Sequence, residues 1–330
     1  MNVPTPAPGD GGGPVAVTGA DGFIGRAVVG RLLAAGRAVT AAAGPPGSAT
    51  GSVPAGAELR GCGDLEEPGL LETLLEGARA VVHLAGPASV ARSFDDPAAY
   101  VRVHAGGTAR VCAAMAATGV RRLVLVSSAE VYGRPAANPV VETAPTAPRS
   151  PYGAAKVGAE AVAAAAARRG ELDVVVVRPF SVYGDGMAPW SVLGGLLDAA
   201  RRGDRLRVRD PRPVRDFVHV SDVAGLLELA LSVPTGGDPV VLNAATGVGT
   251  SVGELLEVVA AVTGMPVERT PRGADRPAAA DLPELVGDPA AAAALGWTAG
   301  TSVADGVGNW WSATDGAAPV GGAADGRRSG

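Results

Sequence analysis

The stretch VAVTGADGFIG, residues 15–25, is a short apolar run followed by glycines at positions 19, 22 and 25. The apolar run predicts a buried strand, and residues 25–35 predict a helix. Glycines at this spacing allow a tight turn, close approach of the backbone to a pyrophosphate and close helix packing, while the helix N-terminus favours an anion. The sequence therefore predicts a dinucleotide-binding loop, whose residues are Gly19, Gly22, Phe23, Ile24 and Gly25.

Apolar, strand-like runs alternate with helical stretches after this loop. Further strands are predicted at residues 38–42, 80–85, 122–127 and 174–178, and further helices at residues 68–75, 97–118 and 151–169. Val-rich strands that alternate with helices are typical of a parallel sheet covered on both faces. The predicted fold class is α/β, a Rossmann-type doubly wound parallel sheet with a smaller C-terminal substrate-binding domain.

Composition divides the chain into a central body and two tails. Residues 1–13 and 312–330 hold almost no large apolar side chain, so we expect both to be disordered. We predict a dinucleotide-binding domain over residues 14–178. From residue 179 to residue 311 the pieces become short and rich in Pro and Gly, which predicts a mainly substrate-binding domain. Residues 218–231 are expected to return to the first domain.

Charge and cysteine content argue against several classes of protein. The net charge of −5 argues against nucleic acid as the main partner. No apolar run is long enough to cross a membrane, and the first residues lack the features of a signal peptide. Cys62 and Cys112 fall in segments expected to be buried, which suits reduced thiols and not a metal site. We therefore expect a cytoplasmic protein without a metal ion and without a membrane partner.

Two polar motifs follow the predicted strand at residues 122–127, at the sheet edge where doubly wound folds bind ligands. The first motif contains Ser128 and Glu130, and the second places Tyr152 and Lys156 four residues apart on one helix face. A neighbouring ammonium favours the phenolate of a tyrosine, which brings the phenol's pKa closer to the range of a general base. Ser128 can orient the same substrate hydroxyl. Lys156 is the one lysine among 28 basic residues.

These motifs, in this order, resemble the extended short-chain dehydrogenase/reductases, specifically the NAD-dependent epimerase/dehydratase family that acts on nucleotide-diphosphate sugars. The resemblance covers most of residues 14–310 and includes TGADGFIG, SSAEVYG, PYGAAK, RPFSVYG and RDFVHVSDVA. It implies an NAD-dependent enzyme whose substrate is a nucleotide-diphosphate sugar. By this resemblance Ser128, Tyr152 and Lys156 remove the proton of the sugar 4-hydroxyl, and Lys156 also holds the nicotinamide ribose.

The resemblance also implies binding residues. Leu84 and Ala85 would line the cofactor, and Arg215 would contact the nucleotide's diphosphate. Ser181 stands where the family usually has an asparagine near the substrate, and Arg276 lies in a late element that the family uses for phosphate. The shorter side chain of Ser181 is the feature through which substrate preference would differ from the family.

Two places in the sequence indicate which residues would bind the adenine end of the cofactor. Asp64 and Leu65 lie between the strands predicted at residues 38–42 and 80–85. They would either lie beside the adenine or form an acidic turn at the surface. The residues after the second strand, at positions 41–44, include neither the acid that binds the ribose of NAD nor the arginine that binds the phosphate of NADP. These residues therefore do not distinguish NAD from NADP. The resemblance implies NAD, with NADP left open. Relatives commonly dimerise through two helices per subunit, here at residues 107–118 and 153–169, so a homodimer is expected.

Glu130 leaves the outcome of the reaction open. Dehydratases and decarboxylases of the family often have a glutamate two residues after the catalytic Ser or Thr, so Glu130 is a candidate base. The other interpretation is an incidental polar residue in an epimerase. Ala129 stands where one group of 4,6-dehydratases has an aspartate, which weighs against that group. His104 replaces a common asparagine, and it would either perturb the site's water network or serve as a hydrogen-bonding core residue.

The leading hypothesis is a nucleotide-diphosphate-sugar 4-epimerase that works through a 4-keto intermediate with tightly held NAD. The enzymatic alternatives are a dehydratase or hexuronate decarboxylase assisted by Glu130, and a 4-ketoreductase that consumes NADPH. A non-catalytic dinucleotide sensor is the alternative from a different class. The presence of both Tyr152 and Lys156 argues against a sensor, which needs neither.

Overall fold

Four buried residues, Val15–Thr18, form the first strand of the central sheet. The computed structural model describes residues 12–45, 52–268 and 282–313. The strands within these residues are β1 Val15–Thr18, β2 Val39–Ala43, β3 Glu58–Cys62, β4 Ala80–His83, β5 Arg122–Val126, β6 Asp173–Pro179, β7 Ser181–Tyr183, β8 Val214–His219, β9 Val240–Ala244, β10 Gly249–Ser251 and β11 Glu284–Leu285.

The central sheet is parallel, with the strand order β3-β2-β1-β4-β5-β6-β9. β1 has the predicted bounds, and the bounds of β2, β4, β5 and β6 lie within two residues of the predicted ones. Chain order reverses on the two sides of β1, and ligands of such sheets bind beyond the carboxyl ends of the strands at this point. The predicted doubly wound parallel sheet is confirmed.

The helices connect these strands and begin close to the predicted positions. Their bounds are α1 Phe23–Ala34, α2 Leu70–Leu75, α3 Pro97–Val101, α4 Gly107–Thr118, α5 Pro151–Arg168, α6 Val192–Arg201, α7 Val220–Ala230, α8 Val252–Thr263, α9 Ala290–Ala294 and α10 Val303–Ala313. A π-helical turn, Arg102–Gly106, joins α3 to α4. The single helix predicted over residues 97–118 is therefore continuous but contains a wider turn.

Each face of the central sheet has its own apolar layer. α1 and α7 pack on one face, with Leu32 and Leu226 fully buried there. α2, α4 and α5 cover the other face, where Leu74, Met115 and Ala163 are fully buried. Helices on both faces bury the Val-rich strands on both sides, which explains why the strand sequences are continuously apolar.

The smaller layer follows residue 179. β8 pairs with β7, β10 and β11, and the apolar sides of α6, α8 and α10 form a separate core. β9 lies in the range predicted as mainly substrate-binding, but it is a strand of the central sheet. The division of the chain into the two predicted domains stays a prediction.

Some predicted features lie at the margins of the described chain. Most residues of the two predicted tails, 1–11 and 314–330, are outside the described residues, as is Arg276. Cys112 is buried, whereas Cys62 is exposed. The prediction that Cys62 is buried is wrong, because Cys62 ends the edge strand β3. Across the described helices, none combines the length and the apolar character that a membrane crossing requires.

The glycine-rich loop folds because its third glycine lacks a side chain. Gly22 N donates a hydrogen bond to Gly19 O at 3.0 Å, which closes the turn between β1 and α1. A Cβ atom on Gly25 would lie 2.0 Å from Gly19 O. The first turn of α1 therefore approaches the loop backbone more closely than any other residue type permits.

We expect Gly25→Ala to lower the free energy of unfolding by about 1–3 kcal/mol, because the added methyl must displace the loop backbone. Gly30 is the matched control, since it lies on the same helix and a methyl group added there would meet no atom within 4 Å. Gly30→Ala should raise the free energy of unfolding by about 0.5–1 kcal/mol. Chemical denaturation measures both, and equal effects of the two substitutions would contradict the close-approach explanation.

Candidate active site

The start of α5 presents the two predicted catalytic side chains. Ser150 precedes the helix, and its Oγ accepts a hydrogen bond from Gly153 N at 3.1 Å. Pro151 then occupies the first turn, where its missing N–H costs nothing. This local sequence fixes the beginning of the helix, so that Tyr152 and Lys156 fall on the face that packs against the end of β5.

Lys156 is buried beside the end of β5. Its side chain is 6% exposed, and its Nζ donates a hydrogen bond to Val126 O at 2.8 Å. Burial disfavours the ammonium and lowers the pKa of Lys156 to about 8, and the Glu160 carboxylate partly offsets this effect. Lys156 therefore changes charge much closer to neutral pH than an exposed lysine does.

Tyr152 shares a hydrogen bond with the Ser128 side chain, so the predicted Ser–Tyr pair is in contact. Ser128 Oγ also accepts a hydrogen bond from Glu130 N at 3.2 Å. Lys156 Nζ lies 5.8 Å from the centre of the Tyr152 ring. Burial raises the pKa of Tyr152 to about 12. The expectation of a lowered pKa is wrong, because removal from water outweighs the hydrogen bond with Ser128, which lowers the pKa.

Gly153 brings the catalytic helix and the serine-containing turn together. A Cβ atom on Gly153 would lie 2.7 Å from Glu130 O, so the helix backbone touches the turn that follows Ser128. This turn, Ala129–Val131, is a short 3₁₀ helix that begins after β5. The close approach explains how residues more than twenty positions apart in the sequence share one site.

A cavity of about 50 Å³ adjoins Ser128, and the predicted substrate residues line it. Ser128, Glu130, Ser181 and Arg215 all contribute to its wall, together with apolar residues at its other side. Burial raises the pKa of Glu130, and the positive charge of Arg215 partly offsets the increase. The cavity thus combines hydroxyl groups, a buried carboxyl group and a guanidinium group.

The glycine-rich loop fits a dinucleotide's phosphates. Gly19 has a φ of +65°, and a Cβ atom on it would lie 3.0 Å from the backbone of Ala85. The loop and the end of β4 therefore form a narrow cradle of backbone in which a side chain has no room. Such a cradle at the N-terminus of α1 suits a pyrophosphate. Ile24 packs with its side chain against the apolar core, as expected of a residue whose backbone lies beside the phosphates.

A hydrogen-bond network fixes the segment predicted to line the cofactor. Thr18 Oγ1 accepts hydrogen bonds from Leu84 N and Ala85 N at 3.1 and 3.2 Å. Its hydroxyl lies 2.7 Å from His83 Nδ1, so its proton is available for the histidine. Burial lowers the pKa of His83 to about 3, which keeps the ring neutral. Leu84 and Ala85 are thereby held against the glycine-rich loop.

The two residues predicted to lie beside the adenine differ in their exposure to solvent. Leu65 is buried in the apolar core, whereas the Asp64 carboxylate is half-exposed and lies 3.5 Å from Arg102. A cavity of about 400 Å³ opens near the end of β2 and includes Asp21 in its wall. Asp21 Oδ1 accepts a hydrogen bond from Gly44 N at 3.1 Å. Asp21 in the glycine-rich loop therefore places a carboxylate at the end of β2, where residues 41–44 include no acidic side chain.

His104 behaves as a hydrogen-bonding core residue. It lies in the π-helical turn, its Nε2 is 3.0 Å from Pro87 O, and its ring meets the Tyr152 ring edge-on at 5.4 Å. Burial and the nearby Lys156 lower the pKa of His104 to about 2, so the ring is neutral. Of the two interpretations of this substitution, the described contacts favour the second.

Several buried polar residues next to the site were missed by the sequence analysis. They form one hydrogen-bonded group behind the catalytic strand end, which consists of Ser127, Tyr132, Glu160, Arg178 and Asn243. The spacing of Glu160 four residues after Lys156 was the available signal, because it puts both on one helix face. Arg276 lies outside the described residues, so its predicted role stays a prediction.

Known proteins match this chain over most of its length. The profile of the NAD dependent epimerase/dehydratase family matches residues 15–245. The UDP-glucose 4-epimerase of Streptomyces lividans is 34% identical over 268 residues, which are 76% of this chain and 81% of that protein.

Two solved structures share the fold. MoeE5 in complex with UDP-glucuronic acid and NAD has 35% sequence identity and a TM-score of 0.81, over 92% of this chain and 100% of that one. The UDP-glucose 4-epimerase of Thermus thermophilus in complex with NAD has 30% identity and the same TM-score, with the same coverage. The chain belongs to the NAD dependent epimerase/dehydratase family.

Proposed function

We propose that this protein is a 4-epimerase of UDP-linked hexoses or hexuronates that uses bound NAD. The observation that carries the proposal is the contact between Ser128 and Tyr152, with buried Lys156 beside them, where Ser128 also lines the cavity that includes Arg215. Relatives named as UDP-glucose 4-epimerases and a neighbour that binds UDP-glucuronic acid support this class of substrate. The predicted alternatives remain the competing outcomes of the test.

The cavity supplies the orientation of the sugar. Arg215, with its guanidinium group at the cavity wall, is suited to the diphosphate of the substrate, since guanidinium groups bind phosphate oxygens through paired hydrogen bonds. Ser128 Oγ is suited to the sugar 4-hydroxyl, because it already contacts the Tyr152 phenol. A sugar bound at both ends would present its C4 atom to the cofactor cradle.

Tyr152 is the proposed acid and base. As a base, its phenolate takes the proton of the 4-hydroxyl while the C4–H bond breaks and a ketone forms. NAD bound in the cradle would accept the C4 hydride and return it, and would bring a positively charged ring to the site. Positive charge favours the phenolate, so Lys156 and the cofactor together oppose the burial that raises the pKa of Tyr152.

Epimerisation follows from the balance of these steps. Oxidation gives a 4-keto sugar. This sugar then rotates in the cavity, so that the hydride adds to the opposite face of C4. Tyr152 returns its proton to the C4 oxygen, so no atom is gained or lost overall. No external reductant is consumed, which distinguishes this proposal from a ketoreductase.

Glu130 carries the second candidate function. Oxidation at C4 makes the C5 proton more acidic, and Glu130 lies in the wall of the same cavity as Ser128. As a base, Glu130 would take the C5 proton for the elimination of water, and as an acid it would protonate C5 after the C6 carboxylate has left as carbon dioxide. Burial raises the pKa of Glu130, which makes its carboxylate a stronger base once formed.

We also propose that the protein works as a cytoplasmic homodimer. Both cysteines are free thiols, which suits a reducing compartment. The exposed side of α5 consists of small residues that would allow two helices to approach closely, namely Ala154, Ala161 and Ala165. Sedimentation equilibrium measures the subunit number, and a monomer at micromolar concentration would contradict the dimer.

The purified protein, without added cofactor, should convert a UDP-hexose or UDP-hexuronate into a product of the same mass. A panel of UDP-, dTDP- and GDP-linked hexoses and hexuronates, analysed by mass spectrometry and NMR, measures this. Inversion at C4 with unchanged mass is the expected result. Loss of water would support a dehydratase, and loss of carbon dioxide a decarboxylase. Oxidation of C4 to a ketone only with added NADP⁺, which is the reverse direction of a ketoreductase, would support a ketoreductase. Each of these results would contradict the epimerase.

We expect Tyr152→Phe to lower kcat by about 10²–10⁴-fold, because the general acid and base is removed while the ring remains. Tyr183→Phe is the matched control. Its hydroxyl is also buried and donates to Ser302 O at 2.8 Å, but it belongs to the core of the smaller layer. The control should lower thermal stability and leave kcat within about twofold of the wild type. Unchanged turnover in Tyr152→Phe would exclude the proposed role.

Glu130→Gln separates the two candidate functions. For an epimerase, kcat should stay within about tenfold of the wild type, because no proton is taken from C5. For a dehydratase, removal of the base, or for a decarboxylase, removal of the acid that protonates C5, should lower kcat by about 10²-fold or more. The assay follows product formation by NMR with the best substrate of the panel, and a loss of the larger size would overturn the epimerase.

A further inference from the structure

A buried ion pair lies directly behind the catalytic residues. Arg178 Nε and Nη2 donate hydrogen bonds to Glu160 Oε1 and Oε2 at 2.9 and 2.7 Å, so the two groups meet in a paired arrangement. The side chains of Arg178 and Glu160 are 6% and 13% exposed. Neither residue contacts the cavity that Arg215 lines. The pair therefore lies outside the wall of that cavity.

The carboxylate of this pair also binds the catalytic strand end. Ser127 Oγ donates a hydrogen bond to Glu160 Oε1. Ser127 is the residue between Val126, whose carbonyl accepts the Lys156 hydrogen bond, and Ser128, which contacts Tyr152. A single carboxylate thus connects helix α5 to the strand end on which Ser128 lies.

The arginine of the pair extends the connection to two more elements. Arg178 Nη1 donates hydrogen bonds to Tyr132 Oη at 2.9 Å and to Glu142 O at 3.0 Å. Tyr132 Oη donates in turn to Asn243 Oδ1 on β9 at 2.7 Å. The hydrogen-bonded group joins β5, β6, β9 and α5 behind the site, so movement of α5 relative to β5 would break several buried hydrogen bonds at once.

Glu160 is also the anion whose charge raises the pKa of Lys156. His83 from β4 and His104 from the π-helical turn are neutral, because burial lowers the pKa of each to about 3 and about 2. Tyr152 on the same helix is protonated at neutral pH because burial raises its pKa. Glu160 lies one helical turn after Lys156, on the same face, and its charge favours the ammonium form.

The position of this ion pair is not explained by stability alone. A buried ion pair adds little net stability compared with a well-packed apolar pair, because both charges lose their hydration. The other explanation is the geometry of the pair. The Glu160 carboxylate extends from the helix that carries Lys156, and it is bound by Ser127, the neighbour of Ser128, and by Arg178 on β6. A fixed carboxylate at this point determines where Ser128 and Lys156 stand relative to each other.

We propose that Glu160 is a positioning residue. Through Ser127 and Arg178 it fixes the strand end that carries Ser128 against the helix that carries Tyr152 and Lys156. Its charge also balances that of Lys156. The inference rests on the proposed function for its effect on turnover. Its effect on Lys156 is independent of any substrate. The two can therefore be tested separately on the full chain.

The single lysine of the chain makes the first test direct. Protein grown with lysine labelled with ¹³C at Cε gives one side-chain NMR signal, that of Lys156, and its titration gives the pKa without any sugar nucleotide. In the wild type we expect a pKa of about 8. In Glu160→Gln the pKa should fall, because a neutral amide no longer favours the ammonium. In Ser127→Ala it should stay unchanged, because the carboxylate remains.

The second test uses turnover of the best substrate of the panel. Glu160→Gln should lower kcat by about 100-fold and Ser127→Ala by about tenfold, each with little change in KM, because the reacting groups are misplaced while substrate contacts remain. Ser127→Ala removes the hydrogen bond to Glu160 and keeps the ion pair between Glu160 and Arg178. It therefore tests the link between helix α5 and the end of β5 even where Glu160→Gln folds poorly. Glu257→Gln, an exposed carboxylate on α8, is the matched control and should leave both kcat and the Lys156 pKa unchanged.

Two results would overturn the proposal. One is a Lys156 titration in Glu160→Gln that matches the wild type. The other is wild-type kcat in Ser127→Ala, or in folded Glu160→Gln, which would reduce the network to a structural feature. If the wild-type protein turns over no sugar nucleotide, the proposed function fails, whereas the NMR titration still decides whether Glu160 controls Lys156.

Discussion

The structure depends on the close approach of helix α5 to the end of strand β5. Gly153 allows the helix backbone to touch the turn after Ser128, and Lys156 Nζ then reaches Val126 O at 2.8 Å. Behind these contacts Glu160 binds both Ser127 and Arg178. Because these contacts are shielded from water, the helix has one position relative to the strand. The serine, the phenol and the ammonium are therefore set in place before a substrate arrives, which reduces the entropy lost on reaching the reactive geometry.

The same burial determines the charges at the site. Removal from water raises the pKa of Tyr152 and lowers that of Lys156, so each group is shifted toward its neutral form. To react, Tyr152 must lose its proton and Lys156 must keep its positive charge. Charges that the fold or the ligands supply must therefore stabilise these two ionised forms. Glu160 supplies one to Lys156, and a cofactor in the glycine-rich cradle would supply another to Tyr152. Under the proposed function, cofactor binding would therefore favour the ionised form of Tyr152 that the reaction needs.

The sequence predicts local features well and tertiary ones poorly. β1, the glycine-rich loop and the start of α5 follow from short motifs, since a strand, a turn and a helix cap each depend on adjacent residues. Glu160 and Arg178 were missed because their partnership joins residues on different elements, and a charged residue in a helix is usually exposed. Cys62 was misplaced because apolar pattern does not reveal which strand lies at the edge. The pKa of Tyr152 was misjudged since the cost of burial depends on the packing around it.

The proposed cycle oxidises C4 of the sugar and reduces it again within one bound molecule. The best substrate of the panel, deuterated at C4 and incubated with the purified protein without added cofactor, tests this most directly when the product is examined by NMR and mass spectrometry. We expect the C4 epimer with the deuterium retained at C4, because the hydride is taken and returned without exchange with water. Deuterium found at C6 after loss of water, or a C4 epimer that has lost its deuterium to solvent, would contradict this cycle.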